Sequence, residues 1–264
     1  MDLQLQGQRA VVTGASAGIG FAIAARLAAE GADVLLNGRD AARLDVALQR
    51  LRGLLPAARV SAAVADLGSA EGCARLAEAV AGCDILVNNL GIYEPGDFAR
   101  VDDAVWQRFF EVNVMSGVRL SRVALPAMLA RGSGRIIFIS SESGIQPPPE
   151  MVHYGMTKAA QLSIARGLAE QTTGTAVTVN AVLPGPTRTE GSAAFMAERA
   201  RELGLPAAEV ERRYFAQERP GSLIRRFIEP TEVGATVAFL CSPLAAATNG
   251  AAIRVDGGVV RSMA

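Results

Sequence analysis

Arg9-Ala-Val-Val-Thr13-Gly14-Ala-Ser-Ala-Gly18-Ile-Gly20 decides how this chain is read. Its first residues form a short apolar, β-branched run, as a buried strand requires. Residues 19–30 then repeat apolar side chains at helical spacing, with Gly31 as the stop. A glycine-rich turn alone signals little, because tight turns use glycine for steric reasons. Set between a strand and a helix, it lets the backbone approach a pyrophosphate while the helix N-terminus offers free N–H groups. Gly14, Ser16, Gly18, Ile19 and Gly20 are therefore expected to cradle a dinucleotide.

The same alternation continues outward from this turn. Apolar runs at 33–37, 59–65, 84–88, 134–140, 175–183 and 252–255 read as six more strands, separated by alanine-rich helical stretches such as 40–53. Most runs are hydrophobic on both faces, as strands sandwiched between helix layers are. The pattern predicts an α/β fold: a Rossmann-type, doubly wound parallel sheet of about seven strands with helices on both faces. No composition break or internal repeat divides it, so residues 1–264 are expected to form a single NAD(P)-binding domain. One stretch departs from the rhythm. Residues 187–229 lie between a strand and the last helix and read as an insertion over the carboxyl edge of the sheet, a substrate lid.

Composition excludes several function classes. The chain has 264 residues, is 50 % hydrophobic, and balances 26 basic against 26 acidic side chains. No basic block suggests nucleic acid. No apolar run is long enough to span a bilayer, and the N-terminus lacks a signal-peptide pattern, so a cytoplasmic protein is expected. Cys73, Cys83 and Cys241 are scattered and there is one histidine, a poor set for a metal cage.

The end of the second strand bears on the cofactor. A carboxylate there would bind the adenosine ribose hydroxyls, whereas an arginine would meet a 2′-phosphate. The chain reads Asn37-Gly38-Arg39 with no acid at the tip, and Asp40 is explained as a helix N-cap. Arg39 thus favours NADP, with NAD as the alternative. Ala17, inside the glycine turn, offers no second cation.

Lys158 is the only lysine beside 25 arginines, and it follows Tyr154 by four residues. On a helix over 155–171 both side chains share one face. Arginine is a wide planar fork, whereas lysine is a compact point charge. A site that demands lysine in a chain that otherwise uses arginine is a site where a point charge must fit beside the phenol.

With these elements in place the sequence resembles the short-chain dehydrogenase/reductase family over essentially its whole length, with a ketoreductase-like set of motifs. Asp66-Leu67 is similar to the pair beside the adenine. Asn88-Asn89-Leu90-Gly91 is similar to the Asn-Asn-Ala-Gly segment, with Leu90 for the usual alanine. Asn113 matches the active-site asparagine, and Ser141 stands at the family spacing of thirteen residues before Tyr154. Pro184-Gly185 opens the segment beside the nicotinamide, and Asp256-Gly257-Gly258 matches the C-terminal strand end. The resemblance implies a catalytic set of Asn113, Ser141, Tyr154 and Lys158. It implies cofactor contacts from Asn89, Gly91, Tyr154, Lys158, Pro184, Gly185, Thr187 and Thr189, besides the glycine turn. It also implies a homotetramer built on helices around 104–130 and 155–171, with no nucleic-acid or membrane partner.

The residue types suit carbonyl chemistry. A carbonyl that receives a hydride needs a proton donor, here Tyr154. A phenol titrating near 10 would have to shift by about three units, or about 4 kcal/mol, to work near neutrality. One ammonium at about 4 Å supplies roughly that much in an effective dielectric near 20. Ser141 would orient the carbonyl, and Asn113 would hold a water leading to Lys158. Ser140 is expected to face the other side of its strand. His153 reads as a wall residue, Glu142 and Tyr93 as pocket lining, and Arg212-Arg213 and Arg225-Arg226 as solvated. Phe195, Met196, Tyr214, Phe215, Leu223 and Phe227 suit an apolar lid or its packing. The expected function is NADP-dependent interconversion of a small-molecule secondary alcohol and a ketone. An NAD-dependent dehydrogenase, a non-catalytic NADP sensor, and an epimerase, for which the chain is short, are the rivals.

Overall fold

A computed structural model describes residues 1–263. Its centre is a seven-stranded sheet of parallel strands in the order β3-β2-β1-β4-β5-β6-β7. The strands are β1 Arg9–Val12, β2 Asp33–Gly38, β3 Val60–Val64, β4 Ile85–Asn88, β5 Ser133–Ile139, β6 Ala176–Pro184 and β7 Ala252–Val255. The helices are α1 Gly18–Ala29, α2 Ala41–Leu54, α3 Ala70–Arg75, α4 Ala77–Ala81, α5 Asp103–Phe110, α6 Ser116–Arg131, α7 Val152–Glu170, α8 Glu190–Leu203, α9 Ala207–Gln217 and α10 Pro230–Cys241.

Strand periodicity divides the apolar residues between two cores. Val12, Ile85, Val87, Ile137 and Ile139 face one way and pack with Ile23 and Leu27 of α1 and Val237 of α10. Val11, Leu86, Ile136 and Phe138, the alternating neighbours, face the other way, onto Leu120, Ala124 and Met128 of α6 and Ala165 of α7. Because both faces are covered, the central strands carry no polar alternation.

Strand order reverses between β2-β1 and β4-β5, so the crossovers leave β1 and β4 to opposite sides. This opens a crevice at their carboxyl ends, where ligands bind in such sheets. Local signals set the flanking helices. Asp40 caps α2 by accepting from Arg43 N at 3.0 Å, as expected. The helix carrying Tyr154 starts three residues earlier than periodicity suggests, because Pro149–Met151 form a 3-10 turn that leads into it. Between α5 and α6, Glu111–Met115 adopt a π turn. Among the described residues no helix is long and apolar enough to cross a membrane, and no cluster of His, Cys, Asp and Glu could hold a metal ion.

Candidate active site

The glycine turn is held by its neighbours across the crevice. Gly14 and Gly18 have φ of +60° and +55°, left-handed values that side chains disfavour. At Gly20 a Cβ would lie 2.4 Å from both Asn89 Nδ2 and the Gly14 oxygen, so only glycine lets α1 pack this closely. Thr13 Oγ1 accepts from the backbone N–H groups of Asn89 and Leu90, at 2.9 and 3.0 Å. Asn89 Nδ2 in turn donates to the Thr13 and Gly14 oxygens at 2.8 and 3.1 Å. The ends of β1 and β4 are thereby clipped together. Leu90 packs partly buried against the α6-side core, which absorbs the larger side chain.

The turn lines a cleft of about 440 Å³ together with Ile19, Asn89, Gly91, Tyr154, Lys158 and Thr189. Ser16 stands over the end of β2, its Cβ 3.5 Å from where a Gly38 Cβ would be. Arg39 follows, exposed at the strand tip. Arg43 also lines the cleft and pairs with Glu190 at 3.5 Å, supplying the second cation that the sequence reading did not find. It lies one turn into α2, where sequence alone does not show which face meets the crevice. Asp66 is exposed after β3, its Oδ1 accepting from Gly68 N, while Leu67 is buried in the α6-side core.

A second cavity, of about 320 Å³, adjoins this cleft. Its walls include Ser141, Glu142, Pro184, Gly185 and Thr187 from the sheet edge and Phe195, Met196, Tyr214, Arg219 and Phe227 from the 187–229 stretch. Tyr154, Ile19 and Thr189 line both cavities, so the phenol stands at their junction. Ser140 faces this region too, contrary to the expected alternation. β5 ends at Ile139, and Ser140 Oγ donates to the Lys158 oxygen at 2.8 Å.

Lys158 is 4 % exposed, and its Nζ lies 5.5 Å from the Tyr154 ring centroid. The ammonium donates to the Ile139 oxygen at 2.9 Å and to Gln161 Oε1 at 3.2 Å. Burial lowers its pKa to about 7, against a smaller upward pull from Glu142. Burial, and then the charge of Glu142, push the Tyr154 phenol upward, while a hydrogen bond with Ser141 opposes them. The expected downward shift is not what the surroundings give: burial and Glu142 raise the phenol, and the ammonium is directed at Ile139 and Gln161 rather than at it.

Asn113 sits in the π turn, an irregularity frequent at functional sites. Its Oδ1 accepts from Ile92 N at 2.7 Å, and its Nδ2 donates to the Ile92 oxygen and to Thr157 Oγ1. Gln161 Nε2 donates to the Asn113 backbone oxygen at 2.6 Å. Gln161 therefore joins the Asn113 backbone to Lys158. Its place three residues after Lys158, on the same helix face, was a legible signal that the sequence reading missed. Gly91 separates Lys158 Nζ and Asn113 Oδ1; a Cβ there would lie 3.4 and 3.5 Å from them.

The remaining residues fall into place around this centre. His153 is buried against Phe109, 4.5 Å between ring centroids, as a wall residue. Tyr93 packs edge-on to Tyr154 at 6.5 Å. Arg212 and Arg213 bond Glu209 at the surface, and Arg226 bonds Glu232. Arg225 donates instead to the Phe215 backbone oxygen. Met196, Phe215 and Phe227 form a small core with Val210 beneath the 187–229 stretch, while Leu223 is exposed. The two ends of that stretch are joined by a bridge between Thr187 and Ile228 and by Arg188, which bonds both Glu211 and Glu229.

Comparison with known proteins agrees with this architecture. Residues 8–200 match the family model described as short chain dehydrogenase. The chain is 49 % identical over its full length to the uncharacterized oxidoreductase YvaG of Bacillus subtilis, whose full length is also covered. It is 39 % identical to galactitol 2-dehydrogenase (L-tagatose-forming) of Cereibacter sphaeroides, covering 97 % of this chain and 96 % of that one. Among solved structures, L-sorbose reductase of Gluconobacter frateurii complexed with NADPH and L-sorbose superposes with a TM-score of 0.93 at 34 % identity, all of both chains covered. The chain belongs to the short-chain dehydrogenase/reductase family. It is an oxidoreductase of the CH–OH/C=O class.

Proposed function

We propose that the protein uses NADP to interconvert an uncharged secondary alcohol and its ketone, with Tyr154 as the proton donor and acceptor. The observation that carries this reading is the position of Tyr154 at the junction of the dinucleotide-sized cleft and the second cavity. The cleft suits a dinucleotide, because the sharp turn at Gly14 and Gly18 brings the N-terminus of α1 to its wall. Arg39 and Arg43, with no carboxylate at the β2 tip, favour a 2′-phosphate, and the NADPH complex of L-sorbose reductase supports the same choice. Asn89, Gly91, Lys158, Pro184, Gly185, Thr187 and Thr189 complete the cofactor contacts in this reading.

When bound, the cofactor supplies the hydride and, once oxidised, a positive charge at its nicotinamide. The chain's own residues handle the oxygen. Ser141 and Tyr154 hold the substrate oxygen by hydrogen bonds, and Tyr154 Oη gives it a proton or takes one back. Lys158, anchored by Ile139 and Gln161, keeps a point charge beside the phenol, and Asn113 fixes the Ile92 backbone beneath the cleft. Residues 187–229 act as the lid, closing on the neck between Thr187 and Ile228. A homotetramer through the 104–130 and 155–171 helices belongs to the same reading, and Phe110, 42 % exposed on α5, supports it.

The cavity also bears on substrate charge. It carries Glu142, Glu150 and Glu218 against Arg219, and Arg219 already pairs with Glu150 at 3.6 Å. Glu218 pairs with Arg199, and burial raises the Glu142 pKa toward its neutral form, so no cation in this cavity is left over to meet an anionic substrate, whereas a neutral ketone needs none. L-Sorbose reductase and galactitol 2-dehydrogenase, by name, act on uncharged compounds. Spectrophotometric NADPH oxidation against a panel of ketones tests the reading; no turnover with any neutral ketone, in either direction, would overturn it.

A further inference from the structure

Glu142 is a buried carboxyl, 7 % exposed, in the wall of the substrate cavity, and the proton chemistry above does not use it. Ser141 Oγ donates its proton to Glu142 Oε2. A serine hydroxyl has a single proton, so Ser141 cannot donate to this carboxyl and to a substrate carbonyl together. Burial raises the Glu142 pKa, against hydrogen bonds from Ser141 and from the Ser143 and Glu142 backbone. When a ketone binds and Ser141 turns toward its oxygen, the carboxyl keeps the backbone bonds but is one donor short, inside a cavity walled by Phe195, Met196 and Phe227. A buried carboxyl short of a donor is disfavoured, so the substrate that binds best brings a replacement.

The position of that donor follows from adjacency. The carboxyl oxygen lies within hydrogen-bond distance of Ser141 Oγ, itself the group that meets the carbonyl oxygen. A donor on the carbon next to the carbonyl reaches the same place. Charge decides which donor. Arg219 faces Glu142 from the lid and Lys158 from α7, with the Tyr154 phenol beside them. An ammonium would have to be dehydrated to enter this buried site, whereas a hydroxyl donates without bringing a charge.

We propose that Glu142 is a specificity-determining residue that accepts a hydrogen bond from a hydroxyl on the carbon adjacent to the reacting carbonyl, so that the preferred substrates are α-hydroxy ketones and the corresponding vicinal diols. The proposal rests on the ketoreductase reading and narrows it.

The test compares three ketones with NADPH: 1-hydroxybutan-2-one, 1-methoxybutan-2-one and butan-2-one. The methoxy compound keeps an oxygen at the same carbon but has no proton to donate. The parental enzyme should favour the hydroxy ketone in kcat/KM by at least about tenfold over both others. In Glu142→Ala the hydroxy ketone should lose most of that advantage. The other two should improve, because no buried carboxyl is left short of a donor. Glu142→Gln, which keeps the size and one acceptor oxygen, should retain part of the preference. Equal kcat/KM for the hydroxy and methoxy ketones in the parental enzyme would overturn the assignment without reference to any variant. An equal loss on all three ketones in Glu142→Ala would overturn it too, showing a structural role. Reduction of no ketone by the parental enzyme would overturn the ketoreductase reading and this assignment with it.

Discussion

Lys158 Nζ donates to the backbone oxygen of Ile139 at 2.9 Å, and this bond ties the one lysine of the chain to the last residue of β5. The nitrogen is enclosed, with Gln161 as its other partner and Gly91 left without a side chain beside it. An ammonium fills this space, whereas a guanidinium is wider and planar. Lys158→Arg keeps the charge and should still fail. The variant should fold, lose at least about 100-fold in kcat, and bind NADPH more weakly. Steady-state kinetics with cofactor titration by fluorescence checks this; near-parental turnover would show that the lysine is an accident of composition.

Cofactor choice should depend on two arginines. Arg39 is exposed at the β2 tip, and Arg43 lines the cleft in contact with Glu190. Each charge-assisted contact to a phosphate is worth roughly 1.5–3 kcal/mol, or about tenfold or more in affinity. Arg39→Ala should erase most of the preference for NADPH over NADH, and Arg43→Ala a smaller part. Both variants should leave NADH affinity nearly unchanged. Isothermal titration with the two cofactors decides it, and equal parental affinities would remove the basis for the NADP assignment.

Stability of the cofactor-free protein should rise with pH and then fall. Burial lowers the Lys158 pKa to about 7, so above that value the folded chain has released a proton that the unfolded chain still binds. Stability from this group therefore increases as pH rises through 7 toward the ordinary lysine value. Burial raises the Cys83 and Cys241 thiols from 9.0 to about 12, which has the opposite sign: above 9 the unfolded chain loses protons that the folded chain keeps. Tm should climb between pH 7 and 9 and decline above 9. Lys158→Met should flatten the climb and leave the decline. A parental Tm that falls steadily from pH 7 would contradict the buried, near-neutral lysine.

Much of the fold was legible because its signals are local. The β-branched runs at 84–88 and 134–140, the glycine turn at 14–20 and the Asp40 cap each determine structure over a few residues, and all lie where periodicity places them. Tyr154 and Lys158 were legible for the same reason, since helical spacing alone puts them on one face. What escaped depends on contacts between distant elements. Arg219 faces Glu142 only because the 187–229 stretch folds back over the sheet edge, and no spacing encodes that. Arg43 reaches the cleft from the first turn of α2, where it meets Glu190 of α8. The direction of the Tyr154 shift escaped for the same reason: burial and the neighbouring Glu142, both set by tertiary packing, raise it.

The central claim is that Tyr154 exchanges the proton at the junction of the two cavities. Tyr154→Phe removes one oxygen and little else, leaving the ring packed against Tyr93. Single-turnover NADPH oxidation with 1-hydroxybutan-2-one, in parental enzyme and variant, measures the step directly. The account predicts a loss of roughly 10²- to 10⁴-fold in the variant, with NADPH affinity within a fewfold of parental. A Tyr154→Phe enzyme that oxidised NADPH at near the parental rate would contradict it.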